Sequence, residues 1–174
     1  MKKISIAVYM TAALGASLVC SSHAIAGKTF DLSEQGIKSL DKKITKVDLT
    51  RQVDGKTQLV EVRLNRDPLT GGKNDWNWIA QDGHRLASTL LEKPEVNRIR
   101  LVYTSPENKN LDWAYINVSR SDLPSDWDSL SYLQFFGKTK PQAGTVETSR
   151  WLCDFYGQYR SARPATGLPK ACKG

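Results

Sequence analysis

Lys46-Val47-Asp48-Leu49-Thr50-Arg51-Gln52-Val53-Asp54-Gly55-Lys56-Thr57-Gln58-Leu59-Val60-Glu61-Val62-Arg63-Leu64 reads as a β-hairpin. Val47, Leu49 and Val53 fall on one side of the first strand, and Val60, Val62 and Leu64 on one side of the second. Asp54-Gly55 suits a two-residue turn, in which both central residues take positive φ. Pairing Val53 with Lys56 sets Leu49 opposite Val60 and Val47 opposite Val62, which gives one continuous apolar face. The same register sets Asp48 opposite Glu61 and Lys46 opposite Arg63. These two like-charge pairs are mildly unfavourable and need partners from elsewhere.

The alternation returns further along. Ile99, Leu101 and Tyr103 form one apolar row, and Ala114, Ile116 and Val118 form another, with the polar loop Ser105–Asn110 between them. Setting Leu101 opposite Ala114 pairs Ile99 with Ile116, Arg100 with Tyr115 and Val102 with Trp113. The reverse face then carries Arg98, Arg100, Trp113 and Tyr115.

Helical spacing fills the rest. Asp67–Lys73 is a turn segment with Pro68, Gly71 and Gly72, after which Asn74 or Asp75 can cap a helix. Ile79, Gly83, Leu86, Ala87, Leu90 and Leu91 recur at steps of three and four, and Pro94 stops the run. Phe30–Leu40 is a short helical lead-in. Ser125 or Asp126 can cap a helix bearing Trp127, Leu130, Leu133 and Phe136. Thr145 can cap a last one bearing Trp151, Leu152, Phe155, Tyr156 and Tyr159. The expected fold is α+β: a four-stranded antiparallel sheet of two hairpins (44–65 and 96–119), an intervening helix (75–92) and two C-terminal helices (125–138 and 145–161).

The first 26 residues have the form of a cleavable secretory signal. Lys2 and Lys3 precede an uncharged apolar run, Ile4 to Val19, and Ala24-Ile25-Ala26 supplies small residues at the cleavage site. The run is shorter than the roughly 20 apolar residues that span a bilayer. Lipidation at Cys20 would need a small residue directly before it and a leucine three before. Val19 and Ser17 stand there instead. Cleavage after Ala26 removes only Lys2 and Lys3 from the charge count, so a net +7 becomes +5 for the single domain 27–174. A moderate positive charge hints at an anionic partner.

Cleavage also leaves two cysteines. In an exported chain Cys153 and Cys172 are expected to pair, tethering a Pro- and Gly-containing tail. A loop of this size contributes about 3 kcal/mol in the chain-entropy picture.

Catalytic patterns are sparse. His84 is the one histidine left, and no serine lies in a Gly-x-Ser-x-Gly elbow. One histidine and no Cys-x-x-Cys pair leave no usual zinc pattern, and no cofactor motif is present. Asp122, Asp126 and Asp128 lack the glycine and distal glutamate of a calcium loop, and they suit a helix start. Asp75, Asp82 and Glu92 are generic acid candidates. Gly71-Gly72-Lys73 is a fragment of a phosphate loop without its other residues. Asn117-Val118-Ser119 matches a glycosylation sequon but falls within a strand, and it is expected to be unused in a bacterial chain.

The candidate binding residues are therefore Arg98, Arg100, Trp113 and Tyr115 on the outer strand face, with Trp76 and Trp78 at the helix entry. Cation and aromatic groups in one strip can stack a ring and hold an anion. If the C-terminal helices pack on that face, Trp113 and Tyr115 become core. The expectation is an exported, non-catalytic binding protein of the bacterial envelope, of inhibitor, immunity or accessory-subunit type, in the periplasm or outside the cell. Its expected partner is another envelope or secreted protein. An anionic glycan is a second class, and neither nucleic acid nor stable membrane insertion is expected. The alternative is a small hydrolase of cell-wall material using His84 or a carboxylate pair.

Overall fold

The first hairpin forms in the expected register from Lys46 to Thr50 and slips by one residue at each end, where Ile44 pairs with Leu64 and Arg51 with Thr57. In the computed structural model, which describes residues 30–51, 57–66 and 75–173, strand β1 (Ile44–Arg51) runs antiparallel to β2 (Thr57–Asn65), with Leu49 opposite Val60, Val47 opposite Val62, Asp48 opposite Glu61 and Lys46 opposite Arg63. The Asp54-Gly55 turn, Gly71-Gly72-Lys73 and the signal-like residues 1–26 lie outside the described residues.

A short helix, α1 (Glu34–Lys38), precedes β1 and is capped by the Ser33 hydroxyl, which accepts from the Gly36 N–H at 3.0 Å. Helix α2 (Asp75–Leu91) follows β2. It carries the chain back along the sheet, so β3 (Arg98–Thr104) starts beside the start of β2 and pairs with it in parallel, from Leu59 opposite Arg98 to Asn65 opposite Thr104. A 17-residue helix spans about 25 Å, enough for such a crossover. The expected all-antiparallel sheet is thus corrected to a mixed one.

Strand β4 (Asp112–Ser119) returns antiparallel to β3. Here the expected register is two residues off: Leu101 faces Ile116 rather than Ala114, Val102 faces Tyr115, and Arg100 faces Asn117. A shift of two leaves the side chains from Ala114 to Val118 on their expected faces, so hydrophobic patterning alone could not detect it, whereas Trp113 and Asp112, at the irregularity, change face. The register is displaced by an irregularity where Thr104 pairs with Asp112 and Tyr103 with Ala114, skipping Trp113.

The C-terminal third departs further. The helix expected at 125–138 is a 3-10 turn, Trp127–Ser129, followed by the short helix α3 (Tyr132–Phe136). Its cap is Ser131, in a reciprocal box with Gln134, and not Ser125 or Asp126. A fifth strand, β5 (Lys140–Ala143), then pairs with β4, with Asn117 opposite Lys140. Its Lys-Pro-Gln-Ala sequence has no strand propensity to betray it, and proline suits an edge strand. Helix α4 (Val146–Gln158) is capped by Thr145 as expected, in a box closed by Thr148. The sheet order is β1-β2-β3-β4-β5.

The four α-helices among the described residues feed one core. Ile37 of α1, Trp76, Ile79, Leu86 and Leu90 of α2, Phe135 and Phe136 of α3, and Leu152, Phe155 and Tyr156 of α4 join the inward rows of β2, β3 and β4 in a single buried cluster. Val102 is fully buried yet stands outside that cluster. It lies on the other side of the sheet, and no described helix covers that side. Among the described residues no helix is long and apolar enough to cross a membrane.

Cys153 and Cys172 form the expected disulfide, with Cα atoms 5.2 Å apart. It holds the tail against α4.

Candidate functional site

The open face of the sheet is built from the residues that alternate away from the core. Glu61 and Arg63 come from β2, Arg98, Arg100 and Val102 from β3, and Asp112, Tyr115 and Asn117 from β4. Their side chains lock together. The Arg63 guanidinium donates to Asp112 at 3.0 Å and stands 3.4 Å from Glu61. Arg100 lies 3.7 Å from Glu61, and its guanidinium sits 5.0 Å from the Tyr115 ring centroid. The Tyr115 hydroxyl donates to Asp112 at 2.9 Å, and Thr104 Oγ1 donates to the same carboxylate at 3.1 Å. Burial, the Asp112 hydrogen bond and the Asp112 charge push the Tyr115 phenol above its ordinary value. Val102 sits between Arg63 and Tyr115 in the pairing, and this polar lattice closes over it.

Two depressions flank the lattice. One, of about 380 Å³, is lined by Leu59, Arg98, Asn117, Ser119, Asp122 and Lys140. The other, of about 130 Å³, is lined by Thr45, Arg63, Asn65, Thr104, Ser105 and Lys109. Asn65 Oδ1 is buried there without a hydrogen-bond partner, and Arg100 Nε is likewise unpartnered. Both atoms are shielded from solvent, so what the face offers another molecule is the two concavities, with Arg98, Lys140 and Lys109 among their lining residues.

The nominated residues divide cleanly. Arg98, Arg100 and Tyr115 share the open face. Trp113 is partly buried and packed against the core cluster. Its carbonyl accepts from Gly144 N at 2.7 Å and from Thr148 Oγ1 at 2.9 Å, while its indole N–H is buried without a partner. Trp76 is a core side chain, 1 % exposed, whose indole N–H donates to the Thr148 carbonyl at 2.8 Å. Trp78 is half-buried, edge-on to Tyr103, with the Arg66 guanidinium 4.8 Å from its ring centroid. Neither helix-entry tryptophan meets the outer strip.

His84 packs against Phe135 at 4.9 Å between ring centroids, and burial pushes its imidazole below the ordinary value. Among the described residues no group of three His, Cys, Asp or Glu side chains could hold a metal ion. Asp122 pairs with Lys140 at 2.8 Å, and Asp126 makes no side-chain cap hydrogen bond.

Sequence reasoning missed Glu61, Arg63 and Asp112 as members of the face. Their signal was the pair of like-charge cross-strand neighbours in the first hairpin, resolved here by Arg100 and Asp112 on the neighbouring strands. It also missed the cluster just past the C-terminal end of β2. There Arg66 and Arg85 both reach Asp41, at 2.6 and 2.7 Å, and Asp82, at 3.2 and 2.7 Å. Asp82 is 8 % exposed, so it is a paired structural carboxylate rather than a free acid. The cluster joins the start of β1, the end of β2 and α2.

No protein-family model, no curated protein and no solved structure matches this chain.

Proposed function

We propose that this chain is exported, with its first 26 residues removed, and acts in the bacterial envelope or outside the cell by binding another protein through its open sheet face. An inhibitor, an immunity protein or an accessory subunit works in this way, by occluding or bracing its target without chemistry of its own. The observation that carries the reading is the lattice of Glu61, Arg63, Arg100, Asp112 and Tyr115, on a side of the sheet that no described helix covers. The sheet presents arginine and tyrosine, residues enriched at protein interfaces, on a rigid scaffold. Their mutual ion pairs pre-set the side-chain positions, which lowers the ordering cost of association. The Cys153–Cys172 disulfide fits an oxidising compartment.

The test is affinity capture from envelope extract with mass spectrometry, comparing the native face with the double variant Arg98→Ala plus Arg100→Ala. The expected result is one specific partner whose recovery falls about tenfold in the double variant, equivalent to about 1.4 kcal/mol. A control, Lys42→Ala, lies on an exposed residue outside the face and should retain the partner. Equal recovery by native protein and double variant overturns the assignment of this face.

A further inference from the structure

Strand β1 stands first in the sheet order, so among the described residues no strand pairs with its outer edge. Its charges also sit in the wrong order for the neighbour it has. Lys46 faces Arg63 and Asp48 faces Glu61, and like charges directly opposite each other are destabilising. The reverse order, an acid at 46 and a base at 48, would make both pairs favourable. We propose that the order present serves a second copy of this chain, which pairs antiparallel with β1 along this edge and joins the two five-stranded sheets into one symmetric dimer.

The two edges of the sheet are built differently. Strand β5 is four residues long and carries Lys140, which is exposed, and Pro141. Short length, lysine and proline are devices that blunt an edge. Strand β1 is eight residues long and has no proline. Between its two irregularities the stretch Lys46–Thr50 is regular, and Lys46, Asp48 and Thr50 are exposed. Their neighbours on β2 are engaged on the far side, Glu61 with Arg100 and Arg63 with Asp112. Among the described residues Lys46 and Asp48 have only each other as ion partners, at 2.7 Å.

Charge selects both the occupant and the register. A two-fold axis through Val47 sets Lys46 of each copy opposite Asp48 of the other, so the two pairs close into a ring of alternating charge. Both residues lie on the open face, because they are two apart on one strand. An axis through Asp48 would set the two aspartates against each other and face Lys46 with Thr50. An axis through Leu49 would leave both charges without an opposite partner. The register at Val47 is isologous: each copy gives and receives the same contacts, as a closed dimer requires. Strand addition at an open edge supplies main-chain hydrogen bonds, and the charges fix which strand is added.

The test is analytical ultracentrifugation of the chain from Gly27 onward, which carries every described residue, with its disulfide intact. A strand-edge contact of this length buries less than about 1,200 Å², so the expected dimer is weak and forms at micromolar concentration. Asp48→Lys sets lysine against lysine twice and should weaken the dimer about tenfold. Its melting temperature should not fall, because the pair it gives up is exposed and worth little, while the clash with Glu61 is relieved. Lys46→Asp plus Asp48→Lys restores complementarity between copies and should restore the native dimer. Mixed in equal amounts, the Asp48→Lys chain and the Lys46→Asp chain should form a heterodimer in preference to either homodimer. The proposal is overturned by a monomer at every concentration up to about 1 mM, by native dimer affinity in Asp48→Lys, or by a double variant that stays monomeric. Arg98→Ala plus Arg100→Ala should leave the dimer as it is, so failure of the capture experiment and failure of the dimer are separate results.

Discussion

Arg63 of β2 donates to Asp112 of β4 at 3.0 Å, reaching across the whole width of β3 to do so. Beneath that bridge lies Val102, fully buried on a face with no described helix over it. Asp112 also accepts from Tyr115 and Thr104, so one carboxylate organises three strands. Its replacement in Asp112→Ala leaves three donors without their acceptor and uncovers Val102. The expected cost is about 2–3 kcal/mol, because the bonds are charge-assisted and part-buried. Urea unfolding measures it. In the same variant the Tyr115 phenol should titrate closer to its ordinary value, read by ultraviolet absorbance at alkaline pH. An unchanged stability would mean that the lattice is a loose surface arrangement.

The lattice shows how much of this molecule was legible in its sequence. The alternation of Val47, Leu49, Val60 and Val62 specified the register from Lys46 to Thr50, because that pairing sets the two apolar rows against each other on one face. The second hairpin lost its register by two residues, because Ala114, Ile116 and Val118 look alike to any pattern of period two. What decides between them is the skipped Trp113, a tertiary feature anchored by Gly144 and Thr148. Strand β5 was invisible for a related reason: Lys140–Ala143 becomes a strand only because β4 offers it a free edge. The candidate face was half legible. Arg98, Arg100 and Tyr115 follow from alternation, whereas Glu61, Arg63 and Asp112 become neighbours only once the parallel pairing of β2 with β3 is known.

Helix α2 ends without a basic residue in its last turn, leaving carbonyl groups that need donors. Arg120, beyond β4, supplies them. Its Nη2 donates to the Leu91 carbonyl at 2.8 Å and the Lys93 carbonyl at 2.9 Å, and its Nε donates to the Val96 carbonyl at 2.9 Å. A guanidinium at a helix C-terminus also complements the helix dipole. Arg120→Met, which keeps an apolar stem but no donors, is expected to cost about 2–3 kcal/mol. Arg120→Lys should recover only part of this, since an ammonium lacks the fixed fork that serves three carbonyls at once. Thermal unfolding of the two variants checks the order.

Stability should fall in stages on either side of neutrality. Burial holds the His84 imidazole below its ordinary 6.5. The unfolded chain therefore takes up a proton that the folded protein refuses, and stability drops as pH falls below 6.5. Burial raises Asp41, but the Lys43 N–H and the charges of Arg66 and Arg85 outweigh it and hold the carboxyl below its ordinary 3.8. That contribution is present above 3.8 and lost as pH falls through the folded value. Burial pushes Tyr103, Tyr115 and Tyr156 up, so their contribution is full below 10 and lost as pH rises beyond it. Urea midpoints measured across pH should show all three regimes. His84→Phe should erase the first and leave the others, and Asp41→Asn should flatten the second.

Gly83 sits inside α2, where glycine costs about 1 kcal/mol relative to alanine. A Cβ at that position would lie 2.5 Å from Ile116 Cδ1 and 3.5 Å from the Tyr103 hydroxyl. Ile116 is 1 % exposed, so its terminal methyl has little room to swing aside. Overpacking a filled core costs about 1–3 kcal/mol. The two effects oppose each other, and the steric one wins, so Gly83→Ala should destabilise by about 1 kcal/mol. Ile116→Val removes the obstructing methyl and alone should cost about 0.5–1.5 kcal/mol. In that background the added Cβ meets only ordinary contacts, the nearest at 3.5 Å to the Tyr103 hydroxyl, and Gly83→Ala should turn stabilising by up to about 1 kcal/mol. The sign change, measured as a double-mutant cycle, reports directly on how closely α2 lies against β4. Simple additivity of the two substitutions would place the helix farther from the sheet than Gly83 permits.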